Sequence, residues 1–207
     1  MARRERPTAL LVDLDGVLRR WDPERTAAVE RRYGLPAGAL YDTAMRWSLL
    51  QPAVTGQLSH ADWLAGIADA LAEPAGGPDR ARAAVQEWQA DRGTVDPEVL
   101  DFVREVRAAG IRVGLASNAT DLLDSDLALL GLTDEVDVVV NSSKLGVPKP
   151  SKEYFQQACL AVGAPPAQVL FVDDSDRSVR GARVAGLSAY RWNGPADLPY
   201  LRAALAY

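Results

Sequence analysis

The chain has 207 residues, 48% hydrophobic and 25% charged, a balance that excludes a disordered polymer and allows one well-buried core with room for a modest insert. Its 23 basic and 28 acidic residues leave a formal net charge of −5, which argues against a nucleic-acid partner, because that contact needs net positive surface to displace counterions. No apolar run is long enough to span a bilayer, and the single cysteine, Cys159, forbids an internal disulfide, so no membrane partner and a reducing, cytoplasmic location are expected.

Taken in chain order, the short apolar run that follows Arg3 and Arg4 meets Asp13 at once, so no secretory leader is expected there. Residues 8–14 read as a buried strand. From about 22 to 93 no convincing strand appears. Helical segments are predicted near 23–33, 37–50, 60–72 and 79–90, separated by Gly34-Leu35-Pro36, by 52–59 and by 73–78. Ser59, with Asp62 three residues on, reads as the N-cap of the third segment. His60, the only histidine, has no evident partner and is expected on the surface of that helix start.

Beyond Thr94 the pattern alternates. Strands are predicted at 111–116, 136–140, 169–172 and, less clearly, 188–192, with helices at 97–109, 121–130, 151–162 and 176–185. Cys159 falls within the helix-like apolar stretch 154–160 and reads as a buried small hydrophobe, not a nucleophile. This alternation implies βαβ units. The expected fold class is α/β, a Rossmann-like doubly wound parallel sheet with an inserted helical cap domain. The core domain is placed at 1–20 and 94–207, and the cap at 21–93.

In such a sheet the chemistry gathers at the carboxyl ends of the strands. The first strand ends in Asp13-Leu14-Asp15-Gly16, the second in Ser117-Asn118, and the fourth in Asp173-Asp174-Ser175-Asp176, while Lys149 stands between Pro148 and Pro150. Asp13 interrupts an apolar run that should be buried, and a buried, unpaired carboxylate is costly. Asp13, Asp15, Asp173 and Asp174 would converge on one crevice and repel one another. Lys149 and a Mg²⁺ ion with oxygen ligands would offset them, leaving a site suited to a phosphate that the metal bridges. Ser117 and Asn118 add neutral donors for phosphate oxygens.

Asp13-Leu14-Asp15-Gly16-Val17-Leu18, Ser117-Asn118, Lys149-Pro150 and Phe171-Val172-Asp173-Asp174-Ser175 resemble, in order, the four motifs of the haloacid dehalogenase-like (HAD) hydrolase superfamily. The helical insert directly after the first motif is similar to the cap of its C1-type branch. The resemblance implies a Mg²⁺-dependent hydrolase in which Asp13 is the nucleophile and carries an aspartyl-phosphate. It makes Asp15 the acid and then the base. Mg²⁺ would be held by the Asp13 carboxylate, the Asp15 backbone carbonyl and Asp174, with Asp173 behind them. Ser117 and Lys149 would hold phosphoryl oxygens. One departure stands out: where many members have Asn or Asp four residues after the last motif's second acid, this chain has Ser178, with Asp176 near enough in sequence to assist.

Asp15 disfavours a dehalogenase, which resembles this pattern without the second aspartate. The chain's three lysines, Lys144, Lys149 and Lys152, all lie outside the insert, which excludes the Schiff-base chemistry of phosphonatases. A phosphomonoesterase acting on a small-molecule phosphate ester is the best reading. A sugar-phosphate mutase of the same superfamily shares every core residue and stays open as an alternative, as does a non-catalytic phosphate-binding or signalling protein. A phospho-receiver domain would carry its acidic pair early and no insert.

From Arg19 to Thr94 the chain carries nine arginines against ten acidic residues, so the insert is not built to attract a second phosphate strongly. Four of the five tryptophans, Trp21, Trp47, Trp63 and Trp88, lie there too, more simply as bundle core than as a leaving-group pocket. Arg19, Arg20 and Trp21, in the hinge past the nucleophile, are candidate substrate contacts. The protein is expected as a monomer or homodimer.

Overall fold

β1 (Ala9–Val12) is apolar at every position and buried on both sides, the signature of a strand inside a parallel sheet rather than at its margin. The computed structural model describes residues 6–205; Arg3 and Arg4 lie outside the described residues. After β1 the chain makes one turn and enters β2 (Arg19–Arg20), which pairs antiparallel with β3 (Thr94–Val95). Between these two short strands run α1 (Pro23–Tyr33), α2 (Ala39–Ala44), α3 (Trp47–Val54), α4 (His60–Ala70) and α5 (Pro78–Gln89). The remainder alternates: α6 (Pro97–Ala108), β4 (Arg112–Ser117), α7 (Leu123–Leu129), β5 (Val138–Asn141), α8 (Ser142–Leu145), α9 (Lys152–Val162), β6 (Val169–Asp173), α10 (Asp176–Val184), β7 (Ser188–Arg191) and α11 (Leu198–Leu205).

The five-stranded sheet has the order β5-β4-β1-β6-β7, and all its pairs are parallel. Alternate residues of β1 serve opposite faces. Leu10 and Val12 meet Phe102 and Val106 of α6, Leu127 of α7 and Leu201 of α11. Ala9 and Leu11 meet Tyr154, Phe155 and Cys159 of α9 and Ala182 of α10. Phe102, Phe155 and Phe171 are fully buried, each contributing on the order of 1.5–3 kcal/mol. Helices on both faces make the sheet doubly wound, and the chain reverses direction across it at β1: β4 and β5 extend to one side, β6 and β7 to the other. A crevice at the carboxyl end of β1 follows from that reversal.

The insert helices bury a separate cluster of their own, with Leu40, Trp63, Ile67, Ala81 and Val85 at its centre. Caps explain their limits. Asp22 accepts the Glu24 amide ahead of Pro23, and Ser59 accepts the Asp62 amide. The segment predicted as one helix over 37–50 is two: α2 ends at Ala44, and α3 starts at Trp47 and runs on through Pro52 to Val54. A proline this close to the end of a short helix removes a single hydrogen bond, while Ala53 and Val54 beyond it are buried. No described helix is long and apolar enough to cross a membrane.

Candidate active site

At the end of β1 the Asp13 amide donates to the Val172 carbonyl at 2.9 Å, prolonging the β1–β6 pairing by one step and fixing Asp13 over the crevice. Asp13 Oδ1 accepts the Leu14 amide at 2.8 Å. The chain then folds back in one turn: the Leu18 and Arg19 amides both donate to the Leu14 carbonyl, at 2.9 and 2.7 Å. Leu14, Val17 and Leu18 are buried beneath this turn, so its apolar side faces the core and its polar side faces the crevice. Gly16 has a φ of +79°, which favours glycine, and a Cβ there would stand 2.2 Å from Asp174 Oδ2, so a side chain would also displace the Asp174 carboxylate.

β6 supplies the facing acids. Asp173 is fully buried; its Oδ1 accepts the Ser175 amide at 2.7 Å and its Oδ2 accepts Lys149 Nζ at 2.6 Å. Asp174 is exposed at the crevice mouth, and the carboxylates of Asp13, Asp173 and Asp174 lie within 4.8 Å of one another. Lys149 Nζ also reaches Asp13 Oδ1 at 2.9 Å and the Ala116 carbonyl at 2.9 Å. The ammonium therefore has an acceptor for each of its three protons. Burial pushes the Asp13 carboxyl well above its ordinary range; Lys149 opposes that shift and Asp173 adds to it. Burial works against the Lys149 charge, yet Asp13 and Asp173 together hold its pKa above the ordinary value.

Asn118 takes a different place from the one expected of a phosphate donor. Its amide straddles the Lys149 backbone, Oδ1 accepting the Lys149 N–H at 2.7 Å and Nδ2 donating to the Lys149 carbonyl at 3.0 Å. It thus binds the end of β4 to the loop that carries the lysine. Ser117 is buried at the same strand end, its carbonyl 3.4 Å from the Tyr154 hydroxyl, which also donates to the Val140 carbonyl at 2.9 Å.

The hinge residues are also committed. Arg19 is buried and pairs with Asp15 and with Asp126 of α7. Trp21 Nε1 donates to Asp15 Oδ1 at 2.7 Å, and Arg20 pairs with Asp96. Ser178 is buried, and its amide is accepted by the Ser175 N-cap; Asp176 pairs with Arg180 along the face of α10. Cys159 is buried, which pushes its thiol up to about 11, and it stays inert packing.

His60 is a correction. It does begin a helix, but it faces the core and is half-buried there, its Nδ1 3.0 Å from Thr120 Oγ1 while its amide donates to Asp121 at 2.7 Å. Asp126, Tyr154, Thr120 and Asn141, whose side chain donates to the Thr120 carbonyl at 2.9 Å, were not legible as site residues. Nothing in their spacing sets them apart from ordinary helix and loop positions.

A sequence model of the haloacid dehalogenase-like hydrolases matches residues 7–186. Over 203 residues the chain is 31% identical to a phosphatase of Mycobacterium tuberculosis, covering 88% of this chain and 86% of that one. It is 34% identical over 125 residues to a phosphoserine phosphatase of Thermus thermophilus, a match to 58% of this chain that spans only 50% of the Thermus protein. Among solved structures it resembles a HAD family enzyme of Bacteroides thetaiotaomicron, crystallised with magnesium and inorganic phosphate, with a TM-score of 0.70 and 21% identity over 90% of this chain and 94% of that one. At that identity the likeness concerns the fold.

Proposed function

The chain belongs to the haloacid dehalogenase-like hydrolases, and on that premise we propose that it is a Mg²⁺-dependent phosphomonoesterase that cleaves a small organic phosphate through an aspartyl-phosphate on Asp13. The observation that carries the reading is the buried Asp13 carboxylate, held by Lys149 at 2.9 Å and facing Asp173 and Asp174. The relatives named as phosphatases, and the magnesium and phosphate bound by the Bacteroides enzyme, support it.

The residues present fit the ion. Three carboxylates share one ammonium, so a second cation is what the local charge calls for, and the oxygen-only donor set suits a hard divalent ion. Asp13, the Asp15 backbone carbonyl and Asp174 would hold it. When bound, Mg²⁺ supplies charge neutralisation between the carboxylates and the phosphoryl oxygens.

Asp13, with the Lys149 ammonium 2.9 Å away, attacks phosphorus; the bond to the ester oxygen breaks as Asp15 gives that oxygen a proton. Asp15, now a carboxylate, takes a proton from water, which attacks the phosphoryl group and frees Asp13 and inorganic phosphate. Ser117 and Lys149 donate to the phosphoryl oxygens, and Asn118 serves by holding the lysine in place. The helical segment over 21–93 acts as a cap on a core formed by 1–20 and 94–207, joined through the β2–β3 ribbon and excluding water while the phosphoryl group transfers.

The test is turnover of p-nitrophenyl phosphate with and without Mg²⁺, beside an Asp13→Asn sample. Activity should need the metal and should fall by at least about a thousandfold in the variant, because an amide neither attacks phosphorus nor holds the ion well. Substantial turnover by a folded, uncontaminated Asp13→Asn protein would remove the covalent mechanism.

A further inference from the structure

Asp15 stands apart from the acidic cluster. Among the described residues that cluster comprises Asp13, Asp173 and Asp174, while the Asp15 carboxylate is turned to the β2 hinge and held there by two side chains. Arg19 meets it as a fork, Nε to Oδ1 at 2.7 Å and Nη2 to Oδ2 at 3.0 Å, and Trp21 Nε1 adds a second donor to Oδ1 at 2.7 Å. Arg19 is itself held from behind: Nη1 donates to Asp126 Oδ2 on α7 at 2.9 Å, and the guanidinium lies 4.5 Å over the Trp21 ring. Arg92 approaches the same Asp126 at 3.4 Å.

This arrangement does not suit a substrate contact. The Arg19 side chain is only 6% exposed and all three of its nitrogens already face a carboxylate, whereas the Asp15 side chain that it grips is 41% exposed. As a purely structural pair it would gain little, because a half-exposed carboxylate adds little stability. A planar fork fixes both the position and the plane of the carboxylate it grips, which a single ammonium could not do. We infer that Arg19 is a positioning residue for Asp15, with Asp126 as its anchor and Trp21 as the second hold. Oδ1 accepts two donors at 2.7 Å and Oδ2 accepts one at 3.0 Å, so Oδ2 is the less engaged oxygen.

The inference rests on the acid–base reading of Asp15, and its test separates the two. Turnover of an aryl and a primary alkyl phosphate is compared for Asp15→Asn, Arg19→Gln, Asp126→Asn and each of the latter two combined with Asp15→Asn. Arg19→Gln should lower kcat for the alkyl ester about a hundredfold, the scale of a misplaced catalytic group, with a much smaller loss for the aryl ester and KM nearly unchanged. Asp126→Asn should give the same pattern at about tenfold. In the Asp15→Asn background neither substitution should cost anything further, because nothing remains to be positioned.

Additive losses in that background, or raised KM for both esters at unchanged kcat, would overturn the inference and leave the acid–base reading intact. If Asp15→Asn itself penalises both esters equally, it is the acid–base reading that falls, and this assignment with it. Thermal melting checks each variant. Should Arg19→Gln not fold, the Asp126→Asn pair decides by the same criterion: non-additivity upholds the assignment and additivity ends it.

Discussion

Lys149 Nζ sits among three acceptors at 2.6, 2.9 and 2.9 Å, with its side chain 3% exposed. One planar fork cannot point its donors at a strand carbonyl and two carboxylates that converge from different strand ends. Lys149→Arg is therefore expected to lose nearly as much kcat/KM as Lys149→Ala, roughly a hundredfold or more. Lys144→Arg and Lys152→Arg, at exposed positions, should keep wild-type rates. Near-normal turnover by Lys149→Arg would mean that this lysine does not serve the phosphate site. Residue types at the strand ends were enough to gather Asp13, Lys149, Asp173 and Asp174 in advance, because buried charge in apolar strands has few explanations. Direction was not legible. Asn118 reads as a phosphate donor, and only the fold aims its amide at the Lys149 backbone. Asp126 resembles any polar position of a short helix, yet it anchors Arg19 from 107 residues away.

At the scale of elements, caps and apolar runs carried most of the information. Asp96 caps α6 ahead of Pro97, and Ser151 caps α9, as their residue types foretell. What failed was local. A proline at 52 reads as a breaker, but burial of Ala53 and Val54 outweighs one lost hydrogen bond. α11 hides behind Pro195 and Pro199, although Leu198, Leu201 and Leu205 keep helical spacing and pack on the sheet. The start of α4 gives a pH prediction. Burial lowers the His60 pKa below its ordinary 6.5; Arg92 adds to that shift, and Asp126 and Asp121 oppose it. Its Nε2 is buried and makes no hydrogen bond among the described residues. The folded protein therefore favours the neutral ring. Its contribution to stability is whole above pH 6.5 and is lost as pH falls from there through the lowered folded value. Tm measured from pH 8 to 5 for wild type and His60→Gln should show a smaller acid-side decline in the variant. Parallel curves would mean that the imidazole does not titrate against folding.

For the molecule as a whole, the helical segment meets the sheet and its loops at specific points. Gly56, at a φ of +71°, comes so close to the Ser143 carbonyl that a Cβ there would stand 2.3 Å from it, and His60 meets Thr120 and Asp121 nearby. Trp21 and Trp47 are both about half exposed, at 46% and 47%. If the segment closes over bound phosphate, these rings change surroundings, so Mg²⁺ with a phosphate analogue should shift intrinsic fluorescence or slow hydrogen exchange in the β2 and β3 linkers. No response in either at saturating ligand would mean that the segment is fixed in place.

The central position of β1 also orders events in time. Its partners are β4, which begins at Arg112, and β6, which begins at Val169. As the chain is synthesised, the strand that ends in Asp13 emerges first and waits about half the chain for its first neighbour, an apolar segment with its hydrogen-bonding groups unpaired. The next stretch to emerge is the helical segment, whose Leu40, Ile67 and Val85 can bury one another without any part of the sheet. Placing a segment with an apolar cluster of its own between β1 and β4 means that these side chains emerge together before the sheet can begin to close. Asp13 and Lys149 meet Asp173 only after residue 173 has been made, so an unfinished chain has no complete acidic cluster.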